Sequence, residues 1–311
     1  MPAGMSGQCK LRCRKLICSC TARSWRWTDA LPSTAALRCS LGIYKMIAPL
    51  LGFGIAVAAV GSALADAAQD CNGREGSEAI AGCSELIRHN PQDAVAYYNR
   101  GFAYNELGEF DRAIADFTKA IELDPKFASA YYRRGFTHDD KGEYDLAISD
   151  YTKAIEIDSH FASAYNGRGV AYRAKGDIDH AIAEYTKAIK LDPTDPDSYN
   201  NRGAAYRAKG EYDLSIADHT KAILMDAKFA NAYSNRAATY YVVGRHTQAL
   251  ADAQKSLELR PGHVATLVTR GSILEALGRR EEAIADFREA LLLYPEGQKA
   301  KDALKRLDAL P

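Results

Sequence analysis

From Ala94 onward, large apolar, very small and polar positions recur in one pattern, in six equal blocks that begin at 94, 128, 162, 196, 230 and 264 and end at 297 without insertion or deletion. The fourth position of the blocks reads Tyr97, Tyr131, Tyr165, Tyr199, Tyr233 and Leu267, and the eighth Gly101, Gly135, Gly169, Gly203, Ala237 and Gly271. The eleventh reads Tyr104, His138, Tyr172, Tyr206, Tyr240 and Leu274. Positions 4, 8 and 11 share one face of a 3.6-period helix, so they predict the core side of a helix A. Glycine at position 15 of every block (Gly108, Gly142, Gly176, Gly210, Gly244, Gly278) predicts its end, where a left-handed residue is wanted.

A helix B follows. Its stripe is Ala113, Ala147, Ala181, Ser215, Ala249 and Ala283 at position 20, then Phe117, Tyr151, Tyr185, His219, Ala253 and Phe287 at 24, with Ala or Ser at 27. Small residues at 8 and 20 predict a close approach of the two helices, with Gly169 facing Ala181, while the large ones fill the space around them. Pro125, Pro193, Pro261 and Pro295 at position 32 end helix B, since the residue before proline avoids the α region. Ser159 and Ala227 stand there in two blocks, and a softer turn is expected at each.

These residues together (large at 4, Gly or Ala at 8, Tyr at 11, Ala at 20, aromatic at 24, Ala at 27, Pro at 32) resemble the tetratricopeptide repeat (TPR) family. The resemblance covers 94–297, with His219 and Ala253 as departures at position 24. It implies an all-α TPR solenoid, a right-handed superhelix of antiparallel helix pairs with a concave binding face. A period of about 34 residues is the length of such a unit, and an array of this kind is one elongated domain that buries its core only between neighbours.

Charge and cysteine usage set the N-terminus apart. Residues 1–45 carry eight Lys or Arg against Asp29 alone, together with five of the seven cysteines and both tryptophans. With those charges set aside, the totals of 40 and 40 leave 32 basic and 39 acidic residues from 46 to 311. That acidic excess argues against nucleic acid as a partner. The leader is read as unstructured, or as sequence upstream of a true start near Leu41 to Met46. Residues 46–65 hold no charge, and Ala63-Leu64-Ala65 forms a signal-peptidase site before Asp66. Export to the periplasm or the cell exterior is the expectation, with an uncleaved membrane anchor as the alternative. Cys71 and Cys83 are then the two cysteines left in an oxidising compartment, where they form a disulfide or stand as two buried thiols. In the repeat register, residues 66–93 read as a truncated first repeat fastened by that pair. Residues 298–311 read as a capping helix, continuous to Leu310, with a polar outer face.

Arginine recurs at position 7 (Arg100, Arg134, Arg168, Arg202, Arg236, Arg270) and an acid at 23 (Asp116, Asp150, Glu184, Asp218, Asp252, Asp286). Position 7 flanks the buried face of helix A, so an ion-pair ladder within or between repeats is expected. The seven histidines are scattered over different positions, and the chain has neither an H-E-x-x-H motif nor a phosphate-binding glycine loop or nucleophile elbow. No catalytic residue, metal site or cofactor is therefore expected.

The TPR resemblance turns positions 2, 5, 6, 9, 12 and 13 of helix A into the groove. Tyr98, Phe102, Tyr132 and Phe136 form an aromatic wall beside Asp139, Asp140 and Glu106, and Arg173 and Arg207 follow in the middle repeats with Asn166 and Asn200. Asn99, Asn201 and Asn235 match the asparagines that grip peptide backbone in peptide-binding members. The lysine that clamps a terminal carboxylate in such members is missing at position 5. The resemblance implies a monomeric, non-enzymatic scaffold for a protein or peptide, with an extended partner whose basic or apolar part lies over Tyr98 to Phe136 and whose acidic part meets Arg173 and Arg207. An accessory subunit that docks a catalytic partner, or a self-associating array, are the alternatives.

Overall fold

The computed structural model describes residues 64–308, which form fifteen helices and no strand. In chain order they are α1, described over 64–73, α2 (Gly76–His89), α3 (Ala94–Glu106), α4 (Phe110–Leu123), α5 (Ala128–Asp140), α6 (Tyr144–Ile157), α7 (Ala162–Ala174), α8 (Ile178–Leu191), α9 (Pro196–Lys209), α10 (Tyr212–Met225), α11 (Ala230–Val242), α12 (His246–Leu259), α13 (Val264–Ala276), α14 (Arg280–Leu293) and α15 (Gln298–Arg306). Odd-numbered helices from α3 to α13 are the A helices and each packs on the B helix that follows it. Each B helix packs in turn on the next A helix, and successive A helices also touch. The result is a right-handed superhelix. The leader 1–45 and most of the 46–65 segment lie outside the described residues.

Within a repeat the ring at position 24 is laid directly on the backbone of position 8. A Cβ added at Gly101, Gly169, Gly203 or Gly271 would stand 2.9, 2.7, 2.8 or 2.8 Å from a ring atom of Phe117, Tyr185, His219 or Phe287. Glycine at 8 is thus the space for the ring, and the neighbour of Gly169 is Tyr185 before Ala181. Repeat five solves the same problem with different volumes. Ala237 and Ala253 replace glycine and ring, and Ile273 of the next helix A fills the remainder in a fully buried cluster. Conserving total volume in this way keeps the layer close-packed.

Each helix A ends on a position-15 glycine with φ between 73° and 85°, where any other residue would be strained. After helix B of the first four repeats an aspartate at position 31 closes the turn. Its side chain accepts the amide two residues on, in Asp124–Lys126 at 3.0 Å, Asp158–His160 at 2.9 Å and Asp226–Lys228 at 2.8 Å. The bond is the same with Pro125, Ser159 or Ala227 between, so the softer turn expected at the last two is not seen. In these repeats the aspartate holds the turn whether or not proline follows it, whereas the last two repeats, with Arg260 and Tyr294 in its place, keep Pro261 and Pro295.

The arginine ladder forms in all six repeats. Arg100, Arg134, Arg202, Arg236 and Arg270 each grip both carboxylate oxygens of the aspartate in their own repeat at 2.6–2.9 Å, and Arg168 grips one oxygen of Glu184. The third guanidinium nitrogen reaches back to a hydroxyl at position 25 of the preceding repeat: Ser84, Thr118, Thr152, Thr186 and Thr220 at 2.9–3.2 Å. One planar cation thereby ties three helices of two repeats.

The first layer lacks this tie, with Asp66 and Gly82 in the arginine and acid positions. Gly82 instead lets α1 and α2 touch, since an added Cβ would stand 2.7 Å from the Ala67 carbonyl and 2.8 Å from the Cys71 amide. Cys71 and Cys83 are buried side by side there, with Cα atoms 4.6 Å apart and their sulfurs paired. At the other end Ala300, Ala303 and Leu304 of α15 bury against Leu267, Leu274 and Phe287. That helix ends at Arg306, short of the expected Leu310, where Asp308 turns left-handed with φ 46°. No helix among the described residues is long and apolar enough to cross a membrane.

Candidate functional site: the concave groove

The inner surface is built by positions 5, 6, 9 and 12 of consecutive A helices, which the superhelix brings into rows. Four depressions follow one another along it. The first, about 280 Å³, lies between Tyr98, Asn99, Phe102, Glu106 and Arg133. The second, about 380 Å³, is walled by Tyr132, Phe136, Asp139, Asn166, Gly167 and Asn201. Arg173 and Arg207 share the third, about 520 Å³, with Tyr212 and Val242. The fourth, about 850 Å³, runs from Arg207 and Asn235 past Val264 and Val268 to Tyr294. Ten of the eleven expected groove residues thus line it; Asn200 is buried and does not.

Two kinds of expected contact are partly taken up by the chain itself. Tyr98 and Tyr132 are wall and core at once, since their rings lie 4.9 and 5.0 Å from Phe127 and Phe161. The asparagines pair across repeats: Asn99 donates to Asn72 at 2.7 Å, Asn201 to Asn166 at 3.0 Å and Asn235 to Asn200 at 3.0 Å. A side-chain amide has two N–H donors and two lone pairs, so one such bond leaves recognition capacity. These pairs order the row and aim what remains into the groove.

The charges are only partly compensated locally. In the second depression the Oδ1 atom of Asp139 and the hydroxyl of Tyr151 are buried without a hydrogen-bond partner. Burial, reinforced by Asp140 and opposed by Arg173, pushes the Asp139 carboxyl up to about 6. Asp195 and Asp197 stand on the same wall. In the third, the Nε of Arg207 is buried and unpartnered, and desolvation together with the nearby Arg173 lowers its pKa. The groove therefore turns from acidic and aromatic to basic over two repeats. Among the described residues no His, Cys, Asp and Glu side chains come together as a metal site would need.

Sequence reasoning missed Arg133, Gly167 and Tyr151 as groove features. The signal was present at position 6, where Asn99, Asn201 and Asn235 alternate with Arg133 and Gly167.

Family models for the TPR match residues 94–127 and 128–161, 169–208, 196–229 and 228–296, which together span nearly the whole array. The chain belongs to the tetratricopeptide repeat family. Solved TPR structures share its fold. A chain of the APC/C hetero-tetramer Cut9–Hcn1 superposes with a TM-score of 0.67 at 23% identity, over 72% of this chain and 44% of that one. A tetratricopeptide repeat protein from Parabacteroides merdae gives 0.61 at 21% identity, over 74% and 91%. PilW, a type IV pilus biogenesis factor, gives 0.62 at 19%, over 68% and 98%. This chain spans less than half of the matched APC/C chain. No curated protein matches it in sequence. As a TPR protein it has the build of a protein–protein interaction scaffold.

Proposed function

We propose that this TPR array holds an extended segment of a partner protein in its concave groove, with a basic residue in the acidic and aromatic part and an acidic residue on Arg173 and Arg207. The observation that carries this is a pair of incompletely compensated sites two repeats apart, an unpartnered carboxylate oxygen at Asp139 and an unpartnered, desolvated guanidinium Nε at Arg207. Buried charge without a partner is costly, and a complementary ligand removes that cost. The array acts as a monomer and performs no chemistry on its partner. The same reading takes the array to be exported and Cys71–Cys83 to be a structural disulfide, which fastens the N-terminal layer, where the arginine tie is lacking. It would add ~3 kcal/mol by closing a short loop in the unfolded chain.

Selection of displayed random peptides on the full chain should enrich sequences that carry a basic residue followed or preceded by an acidic one at a fixed spacing. Arg173→Glu with Arg207→Glu should abolish capture of those peptides at unchanged helicity. Undiminished capture by the double variant would place binding on the convex face or at the ends. Mass analysis of the exported protein, reducing and non-reducing, should find a start at Asp66 and a two-proton deficit from the Cys71–Cys83 bridge.

A further inference from the structure

The first two depressions are the same site one repeat apart, filled differently. In the first, position 6 of the second repeat is Arg133. Its guanidinium carbon lies 4.6 Å from the centre of the Phe102 ring, a position-9 residue, and 5.7 Å from that of Tyr132. The chain thus supplies its own cation to that aromatic floor. One repeat on, the floor is Phe136 at position 9, and position 6 above it is Gly167. No side chain can cover Phe136 from there, and the residue remains 37% exposed.

Gly167 does more than leave space. A Cβ at this position would stand 2.7 Å from the Tyr151 ring and 3.0 Å from its hydroxyl. That hydroxyl belongs to a residue with no exposed surface, yet it lines the depression and has no hydrogen-bond partner. Asp139 lines the same depression with its Oδ1 atom also unpartnered. An aromatic floor, a carboxylate and a hydroxyl acceptor are what a planar cation with several N–H donors uses.

We infer that the depression over Phe136, opened by Gly167, is a specificity pocket for one arginine side chain of the partner, whose guanidinium stacks on Phe136 and donates to Asp139 and the Tyr151 hydroxyl as Arg133 stacks on Phe102 one repeat earlier. The inference rests on the groove reading above and names the basic residue it requires. Guanidinium is favoured over ammonium because the internal counterpart is an arginine whose guanidinium carbon lies 4.6 Å over the Phe102 ring, and a flat ion can stack and donate sideways at once. Asp139 is desolvated and its Oδ1 unpartnered, and the nearby Arg173 offsets only part of that burial, so a partner cation is still favourable there.

The test uses the full chain and a small probe, N-acetyl-arginine methylamide, titrated with amide shifts read by NMR. Its citrulline counterpart has the same shape without the charge, and the lysine counterpart has the charge without the plane. Saturable shifts centred on Gly167 and Asn166 are expected, at least tenfold weaker for citrulline and several-fold weaker for lysine. Asp139→Asn should weaken the arginine probe about tenfold, and Phe136→Leu, which keeps the apolar volume, several-fold. Equal response to arginine and citrulline, or shifts located elsewhere, would overturn the pocket. The groove reading is separable. If selected peptides lose capture with Arg173→Glu and Arg207→Glu but keep it with Asp139→Asn and Phe136→Leu, the pocket fails and the groove stands. If neither pair of changes matters, both fail.

Discussion

His219 occupies the ring site of repeat four, fully buried, with both ring nitrogens unpartnered. Burial first, then Arg207 and Arg236, lower its pKa to about 3. The unfolded chain protonates this histidine near its ordinary 6.5 and the folded chain does not, so the stability it permits is present above pH 6.5 and is lost as pH falls toward 3. The slope is about 1.4 kcal/mol per pH unit. His219→Phe installs the ring used at Phe117 and Phe287 and removes two orphaned nitrogens. It should raise stability by about 1–3 kcal/mol at pH 7.5 and by more at pH 5, read from thermal unfolding at both. Equal gains at the two pH values would contradict the neutral, buried histidine. Asp139 has the opposite sign. Its raised pKa means the folded state binds the proton more tightly, so its cost appears as pH rises from 3.8 through about 6. Asp139→Asn should therefore stabilise at pH 7.5, by about 1 kcal/mol at this partly buried site, and leave stability at pH 3.5 unchanged.

At the scale of helices, the arginine ladder and the glycine–ring contact carry the cohesion. Arg134 donates to both oxygens of Asp150 at 2.7–2.8 Å and to Thr118 of the preceding repeat at 3.0 Å. Asp150→Ala should cost about 3–5 kcal/mol because it leaves a guanidinium partly buried and unpaired. Arg134→Met with Asp150→Ala should cost less than the two single changes together, by at least 1 kcal/mol in chemical denaturation. Strict additivity would mean the pair contributes nothing. Gly169→Leu should overpack the Tyr185 ring by ~3 kcal/mol or more. Tyr185 packs on Ala205 of α9, so the loosening should pass to α9. Hydrogen exchange should accelerate from α7 to α9 and stay unchanged in α13 to α15. The ladder, the helix ends and the glycine spacing were legible in the sequence because each recurs at one position of a local repeat. The hydroxyl at position 25 was not, since threonine there reads as an ordinary exposed helix residue until the previous repeat is docked. The turn at Ser159 and Ala227 keeps its form without proline because the side chains of Asp158 and Asp226 accept the amides of His160 and Lys228, an effect that the absence of proline does not reveal.

On the scale of the whole array, function comes from differences between repeats that the fold treats as equivalent. Six copies of one helix pair would give a uniform groove. The sequence varies positions 5, 6, 9 and 12 while holding 4, 8, 15, 20 and 27 nearly constant, so the scaffold stays fixed while the inner rows change charge. The aromatic wall and the two arginines were visible from residue positions alone. The pocket over Phe136 was not, because it depends on an absent side chain at Gly167 exposing a hydroxyl from a different helix. Amide-shift mapping of the full chain with a peptide selected on it tests the central claim most directly. The account predicts perturbations confined to the inner positions of α5, α7 and α9, centred on Phe136, Gly167, Arg173 and Arg207. Perturbations gathered on the outer faces of α6, α8 and α10, with those inner positions silent, would contradict it.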